Sequence, residues 1–264
     1  MDNNQKKWKV TTDRFVAFID ILGFKDRVLR SDHKEIYKML RLLTKVLNES
    51  INISYAVRNM KKMMEYQLDP DLLDYTMFSD SIIIFTKNAD YFTYQILCEK
   101  LNELILEAFK LNIPIKGSIS FGTITVDKSN NIFFGQPLID AYLLEEDLNY
   151  MGIVIHHNFE KYLLHINRRI NISVTHVDYI LPEIKTPFKT GNFTHRNLSF
   201  VNSPEYSDEL INVFKLSSSG YTRKYIDNTK AVVEQLKAKF EVNEQKRIEE
   251  LNKLNEEVRH RREM

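Results

Sequence analysis

Short β-type runs alternate with helical stripes over the first 156 residues, and this order limits the chain to a few architectures. RFVAFID (14–20) is an apolar run of strand length. From residue 33 to 51, Ile36, Leu40, Leu43, Leu47 and Ile51 recur every three or four residues, the spacing of one helix face. YTMFSDSIIIF (75–85) is two β-type runs around Ser79-Asp80-Ser81, small polar residues that suit a tight turn, so a hairpin is predicted. A second stripe runs from about Tyr91 to Leu111 and stops before Pro114. IKGSISFGTITV (115–126) alternates as a strand, the turn residues 129–131 follow, IFF leads into Gly135, PLIDAYLLEEDL reads as helix and GIVIH (152–156) as strand.

The predicted order is β-α-β-β-α-β-α-β, with the stretch from Ser54 to Asp74 unassigned. Hairpins among the strands and helices as crossovers fit an α+β fold, a ferredoxin-like or palm-type antiparallel-rich sheet covered by helices on one face. Short pieces from about 157 to 205, broken by Pro182, Pro187, Gly191 and Pro204, are expected to elaborate the sheet edge. Beyond Gly220 neither glycine nor proline occurs, so 222–264 reads as one long helix. Its thin apolar stripe (Val233, Leu236, Phe240, then Ile248, Leu251, Leu254, Val258) fits either a partner surface or a solvated helix packed only at its start. The expected division is an N-terminal extension (1–13), a main domain (14–205) and a helical extension (206–264).

With 264 residues and 43% hydrophobic content the chain can bury a sizeable core. The formal net charge of +1 supplies no field toward nucleic acid or an anionic membrane, and neither is an expected partner. No apolar run approaches the ~18 residues of a membrane span, and the single Cys98 suits a reducing interior, so a cytoplasmic protein is expected.

The chemistry concentrates at two aspartates. Asp20 ends the first strand and Asp80 sits in the hairpin turn; if those strands are neighbours, two carboxylates face one gap. Like charges so close repel unless a cation lies between them, and hard divalent ions take oxygen ligands while keeping phosphates as others. Gly23 would let the backbone of Ile21-Leu22-Gly23-Phe24 approach phosphate oxygens, with Phe24 as a shield and Lys116 as added positive charge. Taken singly, each residue has an ordinary role: strand end, turn former, turn glycine, exposed lysine. His156-His157 is a poor chelate and reads as surface or core, Asp140 as a surface or capping residue, and Trp8 with the basic start as loosely packed.

FIDILGF, FSDSIII, KGSISFG and FGQPLIDAYLLE together resemble the class III nucleotide cyclases over roughly residues 14–156. The resemblance implies that Asp20 and Asp80 bind two divalent cations (Mn²⁺ or Mg²⁺) together with the carbonyl of Ile21, and that Leu22, Gly23, Phe24 and Lys116 hold the triphosphate. Thr76 stands where purine cyclases carry a base-pocket lysine. Ile139 and Leu143 stand where they carry a transition-state asparagine and arginine, so Arg58 or another residue of 54–74 would have to supply that function. These departures, with the segment Pro187–Gly191, make the chain more similar to the Pycsar-type pyrimidine cyclases of bacterial anti-phage defence. That likeness implies a homodimer with composite sites, making cyclic UMP or cyclic CMP from UTP or CTP for a separate effector. The alternatives are another palm-fold metal-dependent nucleotidyl-transfer enzyme, or a non-catalytic nucleotide-sensing dimerisation module.

Overall fold

The computed structural model of the chain describes residues 8–49, 72–170, 174–203, 205–216 and 219–263. Arg58 and most of the unassigned 54–74 stretch lie outside these, as do the side chains of Leu251, Leu254 and Val258.

The expected α+β architecture is present. β1 (Thr11–Ile21) leads through a short helix α1 (Phe24–Arg30) to α2 (His33–Asn48). The hairpin β2 (Leu73–Phe78) and β3 (Ser81–Thr86), the helix α3 (Tyr91–Lys110), and the strands β4 (Ile115–Asp127) and β5 (Ile132–Phe134) follow. α4 (Gln136–Asp147) then leads to β6 (Ile153–Ile155). The main sheet has the order β2-β3-β1-β4-β5, antiparallel throughout, with β6 adding parallel to β4.

The period-2 alternation of β1 gives the sheet two different faces. Phe15, Ala17, Ile19 and Ile21 enter the main core against Tyr94, Leu97 and Leu101 of α3. Val16 joins a smaller cluster on the opposite face with Phe85, Ile124 and Val126, where Leu138 of α4 packs. Phe18 and Asp20 share that second face, which α4 covers only in part. The sheet is therefore clothed on both faces rather than one. Gly117 is needed at the centre because a Cβ there would lie 2.3 Å from Ile19 Cδ1 and 2.7 Å from the Phe18 carbonyl oxygen. Trp8 is better anchored than expected: the guanidinium of buried Arg14 lies 4.8 Å from its ring centre.

Residues 157–205 differ from the expected broken pieces at the sheet edge. α5 (His157–Ile170) and α6 (Val174–Ile180) precede β7 (Glu183–Phe188) and β8 (Gly191–Arg196), which form their own two-stranded sheet. Phe159 and Tyr162 of α5 pack against Phe15, the first tilted and the second edge-on, extending the main core. After α7 (Glu209–Asn212), the long α8 (Arg223–Glu263) matches the predicted C-terminal helix. Its first half packs on its own domain: Val232, Val233 and Leu236 are buried, Phe240 meets Tyr179, and Asn243 donates to the Asp178 carbonyl.

Candidate active site

Strand pairing brings the two aspartates together. In the β1–β3 register Asp20 lies opposite Ser81, and the Ile21 amide donates to the Asp80 carbonyl at 3.2 Å. The turn is Ser79-Asp80, with Ser79 at φ 57°, and Ser81 already belongs to β3. On the other side Asp20 lies opposite Lys116 of β4. Asp20 is thus at the meeting point of three strands, on the face that carries α4.

Its electrostatics follow from that position. The Asp20 carboxyl is pushed up to about 7, first by burial and then by the carboxylates of Glu145 and Asp80, with Lys116 and Lys189 pulling the other way. Glu145, on α4, is the acidic residue that sequence reasoning missed as a member of this cluster. It is 4% exposed, and burial raises its pKa against the opposing pull of Lys116.

Lys116 does not have the role expected of it. Its side chain is buried, with Nζ 2.9 Å from Glu145 Oε1 and donating to the carbonyls of Glu145 (2.7 Å), Glu146 (3.3 Å) and Leu148 (3.3 Å). An ammonium so placed caps the C-terminal end of α4, where unpaired carbonyls and the helix dipole favour a cation. It reaches Asp20 through the electrostatic field but is not free to clasp a phosphate. The accessible cation is Lys189, exposed in the β7–β8 turn. That turn is docked on the end of α4 by the Lys189 amide to the Asp147 carbonyl (2.7 Å) and by Thr190 Oγ1 to Asp147 Oδ2 (2.9 Å). Lys189 acts on both Asp20 and Glu145.

The loop after Asp20 is partly as expected. Gly23 takes φ 71° as the N-cap of α1, a left-handed conformation that disfavours side chains. The Leu22 amide is bonded to the Pro114 carbonyl at 2.9 Å, so it cannot serve a phosphate, and Phe24 is packed into the main core rather than set over the loop as a shield. The amides available to a ligand are those of the first turn of α1, beginning at Phe24.

Thr76 pairs with Ile83, which in turn pairs with Phe18, so it shares the Asp20 face two residues along the sheet. Ile139 and Leu143 are 52% and 55% exposed on the outer side of α4, next to exposed Tyr142, whose ring meets Phe18 edge-on at 5.4 Å. Asp140 accepts from Gln136 and Asn158 and holds α4 against α5. The rings of His156 and His157 stand 4.2 Å apart, in keeping with a structural role.

Among the described residues no group of three or more His, Cys, Asp or Glu is arranged to hold a metal ion. The donor set nevertheless fits a hard divalent cation. Asp20 and Asp80 adjoin at the β1–β3 junction and oppose each other's charge, Glu145 acts on Asp20 as well, and an ion there would complete its shell from carbonyl, water or ligand oxygens, as Mg²⁺ and Mn²⁺ do. Among the described residues no helix is long and apolar enough to cross a membrane.

No protein-family model matches the chain, and no curated protein matches it. Among solved structures it is similar to the crystal structure of the catalytic core of a rhodopsin-guanylyl cyclase with converted specificity in complex with ATPαS. The identity is 14% and the TM-score 0.42, over 72% of this chain and 98% of that one.

Proposed function

We propose that the protein is a nucleotide cyclase of class III type, which converts a pyrimidine ribonucleoside triphosphate to its 3′,5′-cyclic monophosphate and pyrophosphate. The observation that carries this reading is the convergence of Asp20 and Asp80 across the β1–β3 pair, in surroundings that resist the ionised form of Asp20. Two carboxylates that oppose each other electrostatically, one with its ionisation opposed at neutral pH, form a site suited to positive charge.

Divalent cations bound there would lower the pKa of the ribose 3′-hydroxyl and neutralise the triphosphate as the α-phosphate is attacked in line. The chain's own residues do the positioning. Asp20 and Asp80 supply the oxygen ligands, joined in this reading by the Ile21 carbonyl. Gly23 lets the backbone turn sharply beneath the phosphates, and Lys189 offers charge to them from the β7–β8 turn, a role that Lys116 cannot fill from its buried position. Lys116 instead fixes Glu145 and the end of α4 behind Asp20.

Pyrimidine selectivity is favoured in this reading by Thr76 on β2, which stands where a purine cyclase carries a base-pocket lysine. A homodimer is supported by the exposed Ile139, Tyr142 and Leu143 on α4 with Phe78 at the β2 end, an apolar surface on the side of the sheet that carries Asp20. A cyclic pyrimidine nucleotide would then act on a separate effector in anti-phage defence. The direct test is to incubate the protein with each of the four ribonucleoside triphosphates and Mn²⁺ and to resolve the products. A cyclic UMP or cyclic CMP peak that disappears in Asp20→Ala and Asp80→Ala is expected. Linear or dinucleotide products would point to another nucleotidyl-transfer enzyme, and binding without turnover to a sensing module.

A further inference from the structure

We propose that Tyr225, in the first turn of α8, is a substrate-contacting residue that closes one side of the Asp20–Asp80 site, making the long C-terminal helix part of nucleotide binding. The inference rests on the reading of that site as a nucleotide site, but not on cyclisation.

The placement follows from how α8 is anchored. Tyr225, Asn228, Thr229, Val232 and Leu236 follow the three-to-four-residue spacing of one helix face. Thr229, Val232 and Leu236 are fully buried against the domain. Asn228 Nδ2 donates to the Asn149 carbonyl at 2.7 Å, and the Met151 amide donates to Thr229 Oγ1 at 2.8 Å, while that hydroxyl donates to the Tyr225 carbonyl at 2.6 Å. Asn149 directly follows Leu148, whose carbonyl joins those of Glu145 and Glu146 around the Lys116 ammonium, opposite Asp20 in the sheet. The helix is therefore bolted to the segment that leaves the acidic cluster. Helical side chains lean toward the N-terminus, so a residue one turn before the anchor projects past it.

Three further features agree. Glu145 and Asp20 both oppose ionisation of the Tyr225 phenol, after burial and Tyr221, which puts the hydroxyl within their electrostatic reach. Tyr225 is half-buried, and its hydroxyl makes no hydrogen bond among the described residues. Exposed Tyr221 stands edge-on to it with ring centres 6.3 Å apart, and Lys224 Nζ lies 6.0 Å from the Tyr221 ring centre. A phenol within electrostatic reach of Asp20 and Glu145, on a helix anchored to the segment that leaves α4 and backed by a second ring and a cation, suits the sugar and base of a nucleoside triphosphate.

The test uses the full chain with Mn²⁺ and 3′-deoxyribonucleoside triphosphates, which lack the attacking hydroxyl and cannot be cyclised. Tyr225→Ala should weaken nucleotide binding about tenfold, the scale of one lost aromatic contact to a nucleotide. Tyr225→Leu should show a similar loss, and Tyr225→Phe should retain most of the affinity. Mn²⁺ affinity without nucleotide, followed by electron paramagnetic resonance, should match wild type in all three. Wild-type nucleotide affinity in Tyr225→Ala would overturn the proposal. So would a loss of Mn²⁺ affinity equal to the loss of nucleotide affinity, since Tyr225 would then merely prop the carboxylates. If Tyr225→Ala weakens binding while no triphosphate yields a cyclic product, the cyclase reading fails and the role of Tyr225 stands.

Discussion

Replacing Asp20 by Asn should stabilise the metal-free protein, and by an amount that depends on pH. The carboxyl is pushed from 3.8 to about 7, chiefly by burial and by Glu145 and Asp80. Three pKa units correspond to roughly 4 kcal/mol, and partial exposure of the side chain brings the usable figure to about 2 kcal/mol. The sign follows from linkage. Below about pH 4 the carboxyl is protonated folded or unfolded, and the surroundings exact no penalty. Between about 4 and 7 the unfolded chain ionises first and the fold loses stability, and above about 7 the penalty is complete. Asn keeps the shape and never ionises, so Asp20→Asn should melt with wild type at pH 4 and about 4–8 °C higher at pH 8. Saturating Mn²⁺ should reverse the order at pH 8, because an ion at one hundred times its dissociation constant adds roughly 2.7 kcal/mol to wild type and little to the variant. The assay is differential scanning calorimetry in chelator and in Mn²⁺ across that pH range. A melting difference that is flat with pH, or wild type indifferent to Mn²⁺, would refute the reasoning.

Lys116→Met should cost about 3 kcal/mol or more in urea unfolding, because it leaves Glu145 buried without its partner; an unchanged midpoint would return Lys116 to the role of a free phosphate ligand. Lys189→Ala should raise the KM for nucleotide about tenfold, the scale of one charge-assisted contact, while its exposed position leaves the unfolding midpoint alone. Gly117→Ala should lower stability by about 1–3 kcal/mol, seen as a lower melting temperature, because the new Cβ meets Ile19 and the Phe18 carbonyl.

Apart from the short α1, the strands and helices described up to residue 156 were legible because each carries its own period, and a tight turn between two β-runs leaves few ways to place Asp80 except beside the neighbouring strand. α5 was missed although Phe159, Tyr162, Leu163 and Ile166 carry a helical spacing, because prolines that begin only at Pro182 drew the whole segment into one irregular reading. The role of Lys116 was not legible. A lysine on a strand looks the same whether it meets a phosphate or the end of a helix 29 residues later, and only tertiary packing decides. Glu145, Lys189 and Tyr225 were missed as residues acting on Asp20 for the same reason: they come from elements distant in sequence, and even Glu145, which closes FGQPLIDAYLLE, shows nothing locally of the charge it faces. Phe24 shows the reverse error, an aromatic beside a glycine that serves the core.

In the proposed site Asp20 and Asp80 share divalent cation beneath a triphosphate. Anomalous scattering from crystals grown with Mn²⁺ and a 3′-deoxyribonucleoside triphosphate tests it most directly. A peak within about 2.0–2.4 Å of both carboxylates, adjoining the phosphates, is the expected result. Manganese bound elsewhere, or a triphosphate seated away from the β1–β3 junction, would contradict it.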